Sequence, residues 1–167
     1  SQILTADSSF FDVFGGFTLR RGDRATALDG NDAVVLTPPA AQRYFGDKNP
    51  VGKTLQIGGS TRRVTGVLDP VPSASHLQFQ LLVAQDLPKR RTTRWTANNF
   101  YTYVRLADGT DPSAFDRRLD QYVRAEVIPQ LGKVLGMSME KRLAQGAEYQ
   151  YNLQPLTGIY LHADSSY

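Results

Sequence analysis

The sequence predicts an α+β fold, because strand and helix signals alternate in two long stretches of a chain of ordinary domain length. Residues 32–68 read as strand, helix, strand, strand, and residues 100–153 read as strand, helix, strand. At 167 residues the chain is one domain, or two small lobes that share a core, and it can bury most of its apolar side chains.

The opening residues predict a short helix followed by a brief strand. Residues 7–9 read as a helix cap, and residues 10–14 as an aromatic helical turn whose phenylalanines are expected to anchor the core. The glycine pair at 15–16 ends that turn, and residues 17–19 alternate into the strand. Residues 20–31 are expected to turn and form a polar connection.

A strand that leads directly into a helix comes next. Residues 33–36 are apolar and mostly β-branched, Thr37 reads as an N-cap, and Pro38 suits the first helical position. Gly46 predicts the left-handed residue that ends the helix. Residues 49–52 then reverse the chain.

An antiparallel hairpin completes this unit. The sequence predicts a strand at 54–57, a tight turn at the glycine pair 58–59 and a return strand at 63–68. Prolines in residues 69–73 keep the next loop out of helix and of any central strand. Residues 76–83 alternate apolar and polar side chains, which predicts a half-buried strand. Its buried face is expected to hold Leu77, Phe79, Leu81 and Val83.

The second half of the chain predicts strand, helix and strand. Residues 100–106 alternate strictly, and the Asp-Pro pair at 111–112 predicts a second capped helix. Pro129 is expected to break this helix, ahead of a short helix over 133–144 and a last strand over 149–153. The helix is expected to bury an apolar stripe made of Phe115, Leu119, Tyr122, Val123 and Val127.

The composition excludes several functional classes. The absence of cysteine excludes thiol catalysis, cysteine-type zinc sites and iron–sulfur clusters. No run approaches the roughly 18 apolar residues of a membrane-spanning helix. The net charge of +3 is mild, whereas a nucleic-acid-binding domain normally carries a stronger and more clustered basic excess.

One motif invites a nucleotide-binding interpretation. Gly52, Lys53 and Thr54 match the end of the phosphate-loop pattern, but that pattern needs a glycine at position 47, which is Asp47. The order of elements is also inverted, since a helix ends before the loop and a strand follows it. No helix N-terminus would face a phosphate, so a helix end and a turn are the favoured interpretation.

The other candidate catalytic or metal-binding residues lack the motif spacing that such sites require. His76 and His162 are the two histidines, and neither has the spacing of a metal site or of a catalytic triad. The G-x-S-x-G pattern of serine hydrolases is also absent. We therefore predict no catalytic, cofactor-binding or metal-binding residue, no cofactor, and no enzymatic activity.

Two aromatic features allow a binding role. The basic segment 89–95, which includes Trp95, could contact anionic lipid, nucleic acid or an acidic protein, although a solvated loop with Trp95 packed on the core is favoured. Tyrosines alternate on two predicted strands, where packing within a sheet is favoured over a ligand platform. These tyrosines are Tyr101, Tyr103, Tyr149 and Tyr151.

Several stretches occur in a characteristic order along the chain: SFFDVF at 9–14 followed by Leu19 and Gly22, VVLT at 34–37 followed by Ala41, YFG at 44–46, NPVGKTL at 49–55, VTGVL at 64–68 and SHLQF at 75–79. Together they resemble the MacB-like periplasmic core domain of FtsX-like ABC transporter permeases. Residues 99–104 and 155–162 resemble later segments of the longer, two-domain permeases of this type. The family's first strand and helix are absent from the start, and residues 86–99 match nothing in the family pattern.

The resemblance implies a single extracytoplasmic core domain over residues 1–167 with two lobes. One is an inserted small α/β lobe with a β-hairpin, at about residues 19–95, and the other is a βαβ-type, porter-like lobe made of residues 1–18 and 96–167. It also implies a location on the periplasmic side of the bacterial inner membrane, between two transmembrane helices of the same protein.

The function implied by the resemblance is non-catalytic. The domain would couple the motion of transmembrane helices to substrate export or extraction, or to engagement of a partner protein. The implied partners are the protein's own transmembrane helices, a cytoplasmic ATPase subunit acting indirectly, and a periplasmic protein or a lipid or peptide substrate, but no nucleic acid. The alternative is a free-standing extracytoplasmic module that binds a peptide or glycan through its tyrosine-bearing strands.

Overall fold

A computed structural model describes residues 3–73, 75–85, 100–135 and 149–158 of the chain. The chain divides into two compact units, residues 1–89 and residues 90–167. None of the helices in the described ranges combines the length and apolarity that crossing a membrane requires. The predicted α+β class is confirmed, since a mixed sheet and helices occur together.

The first unit is built on one sheet, to which the described residues contribute six strands. These are β1 Ile3–Ala6, β2 Leu19–Gly22, β3 Ala33–Leu36, β4 Thr54–Ile57, β5 Ser60–Leu68 and β6 Leu81–Ala84. Their order is β1-β6-β3-β5-β2, and β4 also pairs with β5. The sheet is mixed, because β1 is parallel to β6 and β3 is parallel to β5, while the other pairs are antiparallel.

Strand β3 lies inside the sheet and is buried on both faces. Its neighbours are β5 and β6, and all four of its residues are fully buried. Val35 belongs to one apolar cluster with Leu82, whereas Val34 belongs to a second cluster with Val64. Because successive side chains of a strand point to opposite faces, β3 contributes to two separate cores.

A bulge in β5 sets which side chains reach each core. Val34 pairs with Val64, but the next residue, Val35, pairs with Gly66, so Thr65 is the extra residue. The Thr65 hydroxyl donates to the carbonyl of Ala27 at 2.6 Å. An extra residue shifts the alternation by one position, which directs Leu68 into the cluster that contains Val35.

Short helix α1, Phe10–Val13, covers one face of the sheet with aromatic rings. The Phe10 ring centroid lies 5.3 Å from that of Phe17 and 6.3 Å from that of Phe79. The Arg24 guanidinium donates to the carbonyls of Phe11 and Phe17 and lies 5.7 Å from the Phe11 ring centroid. The predicted role of the phenylalanines in residues 10–14 as core anchors is confirmed, since Phe10 and Phe11 are buried in this core and Phe14 packs against it.

Helix α2, Pro38–Phe45, covers the other face and has the predicted ends. Thr37 occupies the N-cap position, but its side chain makes no capping hydrogen bond, and its buried hydroxyl has no partner among the described residues. Gly46 ends the helix at φ 57° and ψ −136°. Its φ is positive as predicted, but its ψ lies outside the left-handed helical region, in a conformation that is open to glycine and strained for other residues.

The second unit, in its described part, is organised around one long helical run. It comprises α3 Pro112–Tyr122, a π-helical turn Val123–Val127 and α4 Ile128–Leu135, and a 3₁₀ turn follows at Leu156–Gly158. The predicted cap is confirmed, because Asp111 accepts a hydrogen bond from the Ser113 N–H at 3.0 Å. The predicted break at Pro129 is wrong, since helix continues through it.

The spacing of the apolar residues explains the π turn. Phe115, Leu119, Val123, Val127 and Leu131 stand four positions apart. In an α-helix, each step of four residues turns by about 40° more than a full circle, so four steps would carry this stripe about 160° around the helix. The π turn holds one additional residue and rotates the second half back by about 100°, which brings Ile128 to the same face as Val123, Val127 and Leu131 in one buried cluster. The predicted burial of the whole stripe is wrong for its first part, since Phe115 and Leu119 are half-buried and Tyr122 is 47% exposed.

Four further predictions differ from the structure. Residues 20–22 belong to β2 and do not turn. The strand predicted over 76–83 is only Leu81–Ala84, and it is buried on both faces. Residues 100–106 and 149–153 form no strand in the described part of the chain. In the last three cases alternation in the sequence did not distinguish a paired strand from an extended segment, whereas at residues 20–22 the polar composition concealed a strand that pairs with β5.

The grouping of residues 1–18 also differs from the predicted lobes. These residues were expected to join residues 96–167, but β1 pairs with β6, and Phe10 and Phe17 pack in the core of the first unit. The contact between β1 and β6 is non-local, so no feature of residues 1–18 alone could specify it.

A glycine at a close contact between strands gives a test of this sheet. Gly22 lies opposite Gly66, has φ 96°, and a Cβ added to it would lie 2.3 Å from the Thr65 carbonyl oxygen. We expect Gly22→Ala to lower the free energy of unfolding by at least about 2 kcal/mol, because backbone strain and a clash act together. Urea unfolding of the unmodified chain and of Gly22→Ala, followed by circular dichroism, measures this difference in the free energy of unfolding.

The matched control is Gly15→Ala, because a Cβ there would meet no heavy atom within 4 Å. It should change the free energy of unfolding by no more than about 0.5 kcal/mol. Equal effects of the two substitutions would contradict the close approach of β2 and β5.

Candidate functional site

The Gly52-Lys53-Thr54 turn connects α2 to β4, and its backbone groups bond within the fold. The Gly52 N–H donates to the Val64 carbonyl at 2.8 Å, and the Lys53 N–H donates to the Pro50 carbonyl at 2.9 Å. In return, the Val64 N–H donates to the Lys53 carbonyl at 2.7 Å. The two amides that would face a phosphate in a nucleotide loop are therefore already used.

The side chain of Lys53 also has a contact within the fold. Its Nζ lies 5.6 Å from the centroid of the Phe45 ring, within the range of a cation–π interaction. Strand β4 begins at the next residue, Thr54, so no helix N-terminus follows this turn. The geometry is that of a corner between a helix and a strand, as the sequence favours.

Of the two histidines, the structure describes His76. His76 is half-buried, and its ring centroid lies 6.1 Å from that of Phe14. His162 lies outside the described residues. Within the part of the chain that the structure describes, no group of three or more His, Cys, Asp or Glu residues could hold a metal ion.

Two of the four singled-out tyrosines form a pair. The hydroxyls of Tyr149 and Tyr151 lie 2.9 Å apart, and their ring centroids lie 5.6 Å apart with the rings edge to face. Both rings pack against the cluster of Val123, Val127, Ile128 and Leu131. Burial, followed by the hydrogen bond to Tyr151, raises the pKa of Tyr149 to about 12. The pair packs against the helix, and its residues lie in a segment that is not a β-strand.

Exposed apolar side chains in residues 100–106 are the feature that the sequence pattern did not predict. Phe100 is 62% exposed, Tyr101 is 92% exposed and Val104 is 46% exposed. The strict alternation of residues 100–106 predicted a strand, and in the structure this segment is neither a strand nor buried at these three residues. The basic segment 89–95 with Trp95 lies outside the described residues, so its predicted role stays a prediction.

A comparison with family models gives one match, to the MacB-like periplasmic core domain, over residues 1–122. The match includes the whole described sheet and extends to the end of α3. The chain belongs to the MacB-like periplasmic core domain family. The resemblance found in the sequence is thus confirmed, and the chain is an extracytoplasmic domain of the type found in FtsX-like ABC transporter permeases.

Solved structures of related domains resemble this MacB-like domain. A domain of a permease protein from Porphyromonas gingivalis is 27% identical with a TM-score of 0.56, and the match covers 73% of this chain and 58% of that chain. The periplasmic region of MacB from Actinobacillus actinomycetemcomitans is 16% identical with a TM-score of 0.45, covering 88% of this chain and 66% of that one.

A third structure is the extracellular domain of the noncanonic ABC-type transporter YknZ from Gram-positive bacteria. It is 17% identical with a TM-score of 0.43, and the match covers 92% of this chain and 69% of that one. None of the curated proteins matches the chain. The family model and the Porphyromonas domain therefore carry the assignment.

The corner that holds Lys53 predicts no nucleotide binding. We expect calorimetric titration of the chain with ATP and Mg²⁺ to give no saturable binding, because the Gly52 and Lys53 amides are already bonded. We expect Lys53→Ala to lower the free energy of unfolding by about 0.5–1 kcal/mol, the value of an exposed cation–π contact. Lys48→Ala, at another exposed lysine, is the control for lost charge. Tight binding that Lys53→Ala abolishes would contradict this interpretation.

The tyrosine pair predicts a pH dependence in the alkaline range. The unfolded pKa of tyrosine is about 10 and the folded pKa of Tyr149 is about 12, so the unfolded chain loses this proton first. The stabilisation is complete below pH 10, and it is lost as the pH rises to about 12. Urea unfolding between pH 9 and 12 measures the slope, which Tyr149→Phe should reduce. Identical slopes for the two proteins would refute the raised pKa.

Proposed function

We propose that the chain is the non-catalytic extracytoplasmic domain of an ABC transporter permease and that it couples transmembrane helix motion to events outside the membrane. Membership of the MacB-like periplasmic core domain family carries this proposal. The relative from Porphyromonas gingivalis, of which this chain spans 58%, is itself described as a permease domain. Residues 1–167 would form one core domain on the periplasmic side of the bacterial inner membrane.

The first unit offers a route by which force could enter the domain. β1 runs parallel to β6, with Ile3 beside Leu81 and Ala6 beside Ala84. A pull along β1 would load the bonds of this ladder together, because they lie across the direction of force. β6 is also paired with β3, so the load would pass into the most deeply buried strand of the sheet.

The implied partners follow from this role. The protein's own transmembrane helices would deliver the motion, and a cytoplasmic ATPase subunit would act on the domain through them. The load would be used on a lipid or peptide substrate or on a periplasmic partner protein. These partners belong to the proposal and rest on the family assignment.

The coupling proposal predicts an uncoupled variant. Leu4, on β1, packs against the core of the first unit, and Leu55, on β4, packs against the opposite core. In the full-length permease, reconstituted with its ATPase, we expect Leu4→Ala to reduce substrate-stimulated ATP hydrolysis several-fold without changing the basal rate. Leu55→Ala, which costs similar packing outside the β1–β6 route, is the matched control.

The results separate coupling from stability. Equal losses in Leu4→Ala and Leu55→Ala would mean that only fold stability matters, and the proposed route would be abandoned.

The assignment to an ABC transporter permease is tested by the parent gene. We expect four membrane-spanning segments and an adjacent ATPase gene, and a gene that encodes no hydrophobic segment would refute it. The isolated chain should not hydrolyse ATP.

A further inference from the structure

The helical run of the second unit contains a π turn that the mechanism proposed above does not use. In this turn the Ile128 N–H donates to the Val123 carbonyl, a bond that spans five residues instead of four. π turns are uncommon and occur mostly as single insertions, frequently at functional sites. A feature that weakens helix geometry persists only where another interaction compensates for it.

The compensating interaction is the burial of one apolar face. Val123 and Val127 are fully buried, and Ile128 and Leu131 are nearly so. Tyr149 and Tyr151 pack against this cluster. In an uninterrupted α-helix, residues after the turn would rotate by about 100°, which would carry Ile128 and Leu131 away from the tyrosines.

Pro129 lowers the free-energy cost of departing from a regular α-helix at this point. Proline has no N–H, so an α-helix through residue 129 cannot form the bond from this residue to the Ala125 carbonyl. The two arrangements therefore differ by a small number of opposing effects. Regular hydrogen bonds favour the α register, and contact with the tyrosine pair favours the π register.

We propose that the π turn Val123–Val127, held by Tyr149 and Tyr151, is a register switch between two discrete arrangements of α4. In the observed arrangement Ile128 and Leu131 are buried against the tyrosines. In the second arrangement α4 continues α3 as one α-helix and turns these side chains outward. The switch lies within this chain and does not depend on the proposed transport role.

Nuclear magnetic relaxation dispersion on the complete 167-residue chain tests the switch directly. We expect microsecond-to-millisecond exchange at the amides of residues 123–131, with a minor population between about 0.1% and 10%. Tyr151→Ala removes part of the clamp and should raise that population at least about threefold. Tyr101→Ala, at a tyrosine that is 92% exposed, is the matched control and should leave it unchanged. Absence of exchange in the unmodified chain would overturn the proposal.

A single-residue deletion provides a second test. Removing the exposed Ala125 brings the apolar residues to spacings of four and three, which suits a regular α-helix. We expect this deletion to shift the melting temperature by less than about 5 °C and to abolish the exchange. Deleting the exposed Arg118, inside α3, should lower it by more than about 10 °C, because every later side chain rotates. Equal losses for the two deletions would overturn the proposal.

Discussion

The first unit depends on the double burial of β3. A strand of four residues with no polar side chain can be covered on both faces only if two separate cores form around it. One core is aromatic and contains Phe10, Phe17 and Phe79, and the other is aliphatic and lies under α2. Both the bulge at Thr65 and the placement of β1 beyond β6 serve this arrangement, because each directs apolar side chains to the correct face.

This constraint also explains why the lysine turn resembles a nucleotide motif without its geometry. The chain must leave α2, reverse, and pair β4 with β5 within a few residues. Glycine at 52 supplies a φ of 85°, and the neighbouring amides close the turn. The residues that resemble a phosphate loop are thus those that a tight corner requires, and the inverted order of helix and strand distinguishes the two.

The second unit follows a different principle. Its described core contains only the helical cluster around Val127 and the two tyrosines that pack on it, while Phe100 and Tyr101 remain exposed. An apolar stripe with a strict spacing of four is incompatible with a straight α-helix over five turns. Helix geometry yields at the π turn, since burial of Val127 and Leu131 outweighs the loss of regular bonding.

Local signals determined a large part of the fold. The cap at Asp111, the glycine that ends α2 and the hairpin at Gly58 each involve residues within a few positions of one another, so the sequence was sufficient to predict them. The family could also be read from ordered motifs, and the turn at Lys53 could be recognised as structural. The sequence predicted no catalytic, cofactor-binding or metal-binding residue. Such a site is assembled from residues that are distant in sequence, so local patterns could not have revealed one.

Only the tertiary structure decided which extended segments became strands and where the helix changed register. Residues 76–83 and 100–106 carry similar alternation, but only the former region supplies a paired strand, Leu81–Ala84, which has partners on both sides. Pairing and burial depend on residues distant in sequence, such as β1 beside β6, and no local pattern encodes them. The π turn also depends on distant residues, because Tyr149 and Tyr151 pack against the face of the helix that the turn aligns.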